Sequence, residues 1–136
     1  MSRTVELNLT PSAHVRLLQE ASRAYPLEAC GALLGSVNRV IGLHPFPNRS
    51  PDPENSFTVD PVELEPLLRG EANGGVPVLG FYHSHPDDRP FPSSRDFGDA
   101  WSDYWYVIVG VDQGIAGPPF AWRGDNVSRK LVGLDG

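Results

Sequence analysis

The sequence predicts an α/β domain in which helices flank a mixed β-sheet. Three observations carry that prediction. Apolar runs of strand length recur, the clearest being 76–83 (VPVLGFYH) and 104–111 (YWYVIVGV). Two helically spaced segments each follow a polar residue and a proline, Thr10-Pro11 and Asp60-Pro61. Glycine and proline, 14 of each in 136 residues, cluster between these segments at 45–55, 85–94 and 114–119, which marks loops and not disorder. A chain of 136 residues suits one domain, 1–136, with a real core.

The elements follow in order. Val5, Leu7 and Leu9 alternate with polar residues, so 5–9 reads as a strand. Thr10 then caps a helix with Pro11 in its first turn. Val15, Leu18 and Ala21, with Leu17 beside them, carry it to about residue 24, and Pro26 ends it. The run 29–36 (ACGALLGS) is a buried strand. Asn38-Arg39 turns the chain into a second strand over 40–45. Phe57-Thr58-Val59 reads as a short strand. Asp60 caps a helix bearing Val62, Leu64, Leu67 and Leu68. The run 76–83 is a core strand, Ser93 opens a short helix, and 104–111 is the strongest strand in the chain. Residues 120–123 and 128–134 make a final pair. Alternating strands and helices of this kind call for a sheet with helices packed on it.

Composition excludes several function classes. Eleven basic against 17 acidic residues leave a net charge of −6, the wrong sign for a nucleic-acid or anionic-membrane surface. One cysteine, Cys30, rules out a disulfide framework and a Cys-rich zinc module. No run approaches the roughly 18 apolar residues of a membrane span, and the N-terminus lacks a signal-peptide core. A cytoplasmic enzyme or binding module is expected.

One segment carries chemistry: Gly80-Phe81-Tyr82-His83-Ser84-His85-Pro86, running on to Ser93-Ser94-Arg95-Asp96. His83 and His85 stand two apart at a strand end, on one face and about 6.6 Å apart along the axis. Pro86 keeps the segment from continuing as a central strand. Ser93 and Asp96 have the S-x-x-D shape of a helix start, which puts a carboxylate in the first turn. Two imidazoles, a carboxylate and a water complete a four-coordinate zinc site with an open catalytic position. Zinc there would activate the water, and a nearby unligated carboxylate would serve as base. Glu28, at the start of a buried strand, is the candidate.

Each residue also has a plainer reading. A histidine at a strand end is often an ordinary packed residue. Ser93 and Asp96 can be a capping box, Glu28 a junction carboxylate, and Cys30 a small core residue or the nucleophile of a thiol hydrolase. Two histidines and a carboxylate also form the iron facial triad of oxygenases. His14 and His44 have no partner at a telling spacing. Trp101, Trp105 and Trp122 are read as core or sheet-covering aromatics.

Taken together, Glu28, His83-Ser84-His85, Ser93 after seven residues and Asp96 after two more fit E…H-[ST]-H-x7-S-x2-D. This resembles the JAMM (MPN+) zinc metalloprotease family, in its small bacterial form. The flanks PLEACGALLG around Glu28 and GFYHSHP before the loop are similar too, as is FTVDP, so the resemblance covers about residues 6–132. It implies an α/β sandwich like that of cytidine deaminases. It implies Zn2+ held by His83, His85 and Asp96, Glu28 as general base on zinc-activated water, and Ser93 holding the water or stabilising the oxyanion. Deaminase activity does not follow, because one cysteine cannot supply P-C-x-x-C. Small members of the family act on ubiquitin-like or sulfur-carrier proteins ending in Gly-Gly. The resemblance therefore implies an (iso)peptidase for such a partner. It allows a homodimer, and its inactive members leave a binding scaffold with a vestigial metal as the alternative.

Overall fold

A computed structural model describes residues 5–71, 73–91, 104–123 and 126–134, the last segment through its backbone. Its elements are β1 (Val5–Leu9), α1 (Pro11–Ala24), β2 (Cys30–Ser36), β3 (Arg39–Phe46), α2 (Pro61–Leu68), β4 (Val78–Pro86), β5 (Trp105–Asp112), β6 (Ile115–Arg123) and β7 (Asn126–Leu134). The strands form one mixed sheet in the order β1-β3-β2-β4-β5-β6-β7, and β7 pairs parallel with β1 to close it. The mixed α/β architecture agrees with the sequence prediction. The closure was not foreseen.

Both helices begin as their caps predict. The Thr10 hydroxyl accepts the Ala13 N–H at 3.2 Å, and the Asp60 carboxylate accepts the Val62 N–H at 3.0 Å. Pro11 and Pro61 occupy first-turn positions whose N–H needs no partner. The buried stripe of α1 is Ala13, Leu17 and Ala21. It is not centred on Val15, which is 53% exposed. Four-residue spacing stacks the first three on one face, and Val15, two residues from Leu17, falls on the other.

Two apolar clusters lie on opposite faces of the β2–β4 pair. On one, α1 packs over Leu33, Val40, Leu43, Tyr82, Val107 and Val109. On the other, α2 supplies Leu67 and Leu64 against Cys30, Ala32, Phe46 and Phe81. Strand alternation explains the division, since neighbouring residues such as Phe81 and Tyr82 must face opposite ways.

Four local expectations need correction. Residues 57–59 are not a strand. Thr58 instead exchanges loop bonds with Asn48 and Arg49, while Phe57 and Val59 pack into the second cluster. The turn between β2 and β3 falls on Val37 and Asn38, both at positive φ, and Arg39 already belongs to β3. Residues 115–119 form the start of β6, not a loop. β4 runs to Pro86, because parallel pairing with β5 continues through His85↔Gly110 and Pro86↔Val111. The helix expected at Ser93 and the side chain of Trp101 lie outside the described residues.

Candidate functional site

The backbone of β4 dictates where the two histidines go. His83 and His85 share a face with Phe81, and both are buried, at 4% and 8% exposure. Their Nε2 atoms converge to 3.1 Å. His83 stacks on Phe57, with ring centroids 4.7 Å apart. His85 Nδ1 lies 2.7 Å from the Arg89 carbonyl oxygen. A carbonyl only accepts, so Nδ1 carries the proton and the lone pair of the neutral ring sits on Nε2. Both Nε2 atoms thus meet at one point.

The donor set fits a zinc ion. Tetrahedral ligands about 2.0–2.1 Å from zinc stand roughly 3.3 Å from each other, close to the spacing seen here. The hydrogen bond from His85 to a backbone carbonyl is the usual device for fixing the tautomer of a ligating imidazole. Among the described residues, no three His, Cys, Asp or Glu side chains are grouped to hold a metal. The expected third ligand, Asp96, and Ser93 lie outside the described residues.

Glu28 lies two residues before Cys30, which pairs with His83 across β2 and β4. Glu28 is 8% exposed, a rare environment for a carboxylate. It also borders a cavity of about 220 Å³ with Leu27, Ala29, Phe46 and Asn48.

The backbone around Glu28 is held from afar. Its N–H donates to the Pro53 carbonyl at 2.8 Å, and its carbonyl accepts the Asn48 side-chain amide at 3.0 Å. Ala29 donates to the Ser84 hydroxyl at 2.8 Å and accepts the Ser84 N–H at 3.0 Å. Outside this ring of bonds, the Tyr25 hydroxyl donates to the Asp87 carboxylate at 2.6 Å. That bond, with the Gln113 N–H, draws Asp87 below the ordinary carboxylate range and raises the Tyr25 phenol.

Cys30 takes the core alternative. Burial first, then the charges of Glu28 and Glu63, pushes its thiol up to about 12, and it points at the Phe46 carbonyl. A thiol held protonated at neutral pH is a poor nucleophile. His44 sits on β3 with its ring 5.3 Å from Phe46. Trp105 and Trp122 are buried, as expected.

Sequence reasoning missed Asn48, Phe57 and the carbonyl of Arg89. Asn48 left a trace. An asparagine just after Pro47 in a turn-rich stretch suits an Asx turn, and its Oδ1 does accept the Ser50 N–H at 3.0 Å. The stacking partner of His83 and the carbonyl beneath His85 are set by tertiary packing, which leaves no local signal.

Comparison with known proteins points the same way. Residues 10–124 match the family described as prokaryotic homologs of the JAB domain. A desampylase of Haloferax volcanii is 33% identical over 113 residues, covering 81% of this chain and 80% of that protein. A protein of Thermus thermophilus, described as a probable TtuB-protein conjugate cleaving protease, is 36% identical over 110 residues, covering 79% of this chain and 70% of its own. The crystal structure of a JAB1/MPN domain protein from Archaeoglobus fulgidus superposes with a TM-score of 0.66 at 18% identity, covering 96% of this chain and all (100%) of that one, a likeness of fold.

Proposed function

This chain belongs to the family of prokaryotic homologs of the JAB domain, and from that premise we propose that it is a zinc-dependent isopeptidase. Its substrates are conjugates or adducts of a ubiquitin-like or sulfur-carrier protein at a C-terminal Gly-Gly. The whole chain, 1–136, acts as one such domain. The names of the Haloferax and Thermus relatives support hydrolysis of protein conjugates. The observation that supports the chemistry is the convergence of His83 and His85 at 3.1 Å, with the buried Glu28 two residues from Cys30, the partner of His83.

His83, His85 and Asp96 would hold the metal. When bound, zinc would polarise the scissile carbonyl and make a water acidic at neutral pH. Glu28 takes the proton from the attacking water and delivers it to the departing amine. Ser93 donates a hydrogen bond to the oxygen that gains negative charge. The C–N bond breaks, the carrier regains a free Gly-Gly carboxylate, and the amine leaves protonated. Cys30 takes no part and no acyl-enzyme forms.

The test is mass spectrometry of a Gly-Gly carrier joined to a lysine side chain, incubated with the zinc-loaded protein. Release of the bare carrier, lost with chelator and with Glu28→Gln, is the expected result. Full activity in a zinc-replete Glu28→Gln would overturn the base assignment. One equivalent of zinc with binding but no cleavage would instead identify a scaffold.

A further inference from the structure

We propose that Ser84 and Asn48 are positioning residues that hold the Glu28–Ala29 backbone and so keep the Glu28 carboxylate level with the histidine pair. This rests on the reading of Glu28 as the base.

Glu28 and Ala29 present four consecutive backbone groups. Within a sheet, Ala29 would bond to the strand on one side and Glu28 to the strand on the other. Here the regular β2–β4 register ends at Cys30↔His83, Ala29 is taken up by Ser84 of β4, and Glu28 is taken up by the 48–58 loop, which stands where β3 would be. Pro53 accepts from the Glu28 N–H, Asn48 donates to the Glu28 carbonyl, and Ser84 binds both groups of Ala29.

Ser84 does this in a way few side chains can. It sits between the two histidines and faces the opposite side of the sheet from them. At 1% exposure, its hydroxyl replaces a backbone carbonyl as acceptor for the Ala29 N–H. Removing that oxygen leaves a buried amide without a partner, which the chain relieves by moving. The nearest segment able to move carries Glu28. The residue that fixes the base is thus built into the same three residues as the two imidazoles.

Asn48 acts from the other flank. Its Nδ2 also donates to the Ser56 carbonyl at 3.0 Å, and its Oδ1 accepts the N–H groups of Ser50 and Thr58. One side chain therefore ties Glu28 to both ends of the 48–58 loop, whose Phe57 stacks on His83. Loop, base and histidine are held in one frame.

The test compares Ser84→Ala, Ser84→Thr and Asn48→Ala with the parent, each shown to bind one equivalent of zinc. Cleavage of the carrier conjugate should show kcat falling about tenfold to a hundredfold in the two alanine variants, with KM within about twofold. Ser84→Thr, which keeps the oxygen, should restore most of the rate. In the Glu28→Gln background, Ser84→Ala should cost nothing further. Equal kcat in the alanine variants, or losses that multiply with Glu28→Gln, would overturn the proposal.

A second readout does not depend on turnover. The carbon-13 resonance of the Glu28 side-chain carboxyl should shift in Ser84→Ala and Asn48→Ala and return in Ser84→Thr. A resonance unmoved by either alanine variant overturns the cradle. An inactive parent would end the isopeptidase reading alone, and the resonance would still decide this one. Should Ser84→Ala fail to fold, Ser84→Cys keeps the volume but weakens the acceptor, and the same criteria apply.

Discussion

The two faces of the β2–β4 pair are made from the same few residues and do different work. On the α1 face, Ala29, Leu33 and Tyr82 pack among Leu7, Leu17 and Val107. On the other face, Cys30, His83 and His85 alternate with them, and Glu28 joins from the junction. The first face is apolar except for the buried Ser84 hydroxyl. The second is apolar under α2, where Leu67 and Ala32 meet, and polar at the β4 end. One face lends rigidity to the other. His83 and His85 each have a neighbour in sequence, Tyr82 or Ser84, on the opposite side.

Damage to one face should leave the work of the other intact. Glu28→Gln should produce the largest functional effect, a fall in kcat of about 10²–10⁴-fold with little change in thermal stability. Steady-state kinetics and a melting curve on the same preparation check it. Leu17→Ala should do the reverse. It opens a cavity on the α1 face and costs about 2–5 kcal/mol of stability, with kcat per folded molecule unchanged. Denaturant titration measures the first, and active-site titration of the folded fraction the second. Gly31→Ala crowds the α1 face. A Cβ there would collide with the Tyr82 ring, which fills the space. Destabilisation of about 1–3 kcal/mol is expected.

These contrasts also explain what could be read in the sequence. The polar face was legible because its signals are local. His83, Ser84 and His85 occupy consecutive positions, and strand alternation alone sends the histidines one way. Both helix starts were legible for the same reason, since Thr10 and Asp60 bond within their own first turns. The errors lie where partners are distant. Whether 57–59 forms a strand depends on Asn48, and the extension of β4 to Pro86 depends on β5. The closure of the sheet depends on β7 meeting β1, at opposite ends of the chain. Glu28 was identified by resemblance and by its place before a buried strand. The bonds that hold it come from 20 to 55 residues away.

Cys30 offers a milder test of the same division. It lies on the site face, opposite His83, yet belongs by chemistry to the core. Its thiol stays protonated until the pH approaches about 12, held there by burial and by Glu28 and Glu63. Cys30→Ala should therefore keep its activity. In the native protein, alkylation at pH 8 should be slow compared with the same chain in denaturant, where an ordinary thiol of pKa about 8.5 reacts. Rapid native labelling accompanied by loss of activity would move Cys30 from the core to the reaction.

The smallest effect is expected at the Tyr25 hydroxyl, on the rim of the α1 face. Its hydroxyl donates to Asp87 and links the end of α1 to the residue after β4. The bond is exposed to solvent, so its contribution is slight. Its pH dependence has a definite sign. The phenol is raised above its ordinary value, chiefly by the hydrogen bond to Asp87 and then by burial and neighbouring carboxylates. A group raised by folding stabilises the native state fully below its unfolded pKa, near pH 10, and loses that contribution as pH rises through the folded value. Tyr25→Phe should therefore lower the urea midpoint slightly at pH 7 to 9, with the difference from the parent shrinking above pH 10. A difference that widens in alkali would mean that ionised Tyr25 finds a better partner than Asp87, and the link between base segment and histidine strand would need another origin.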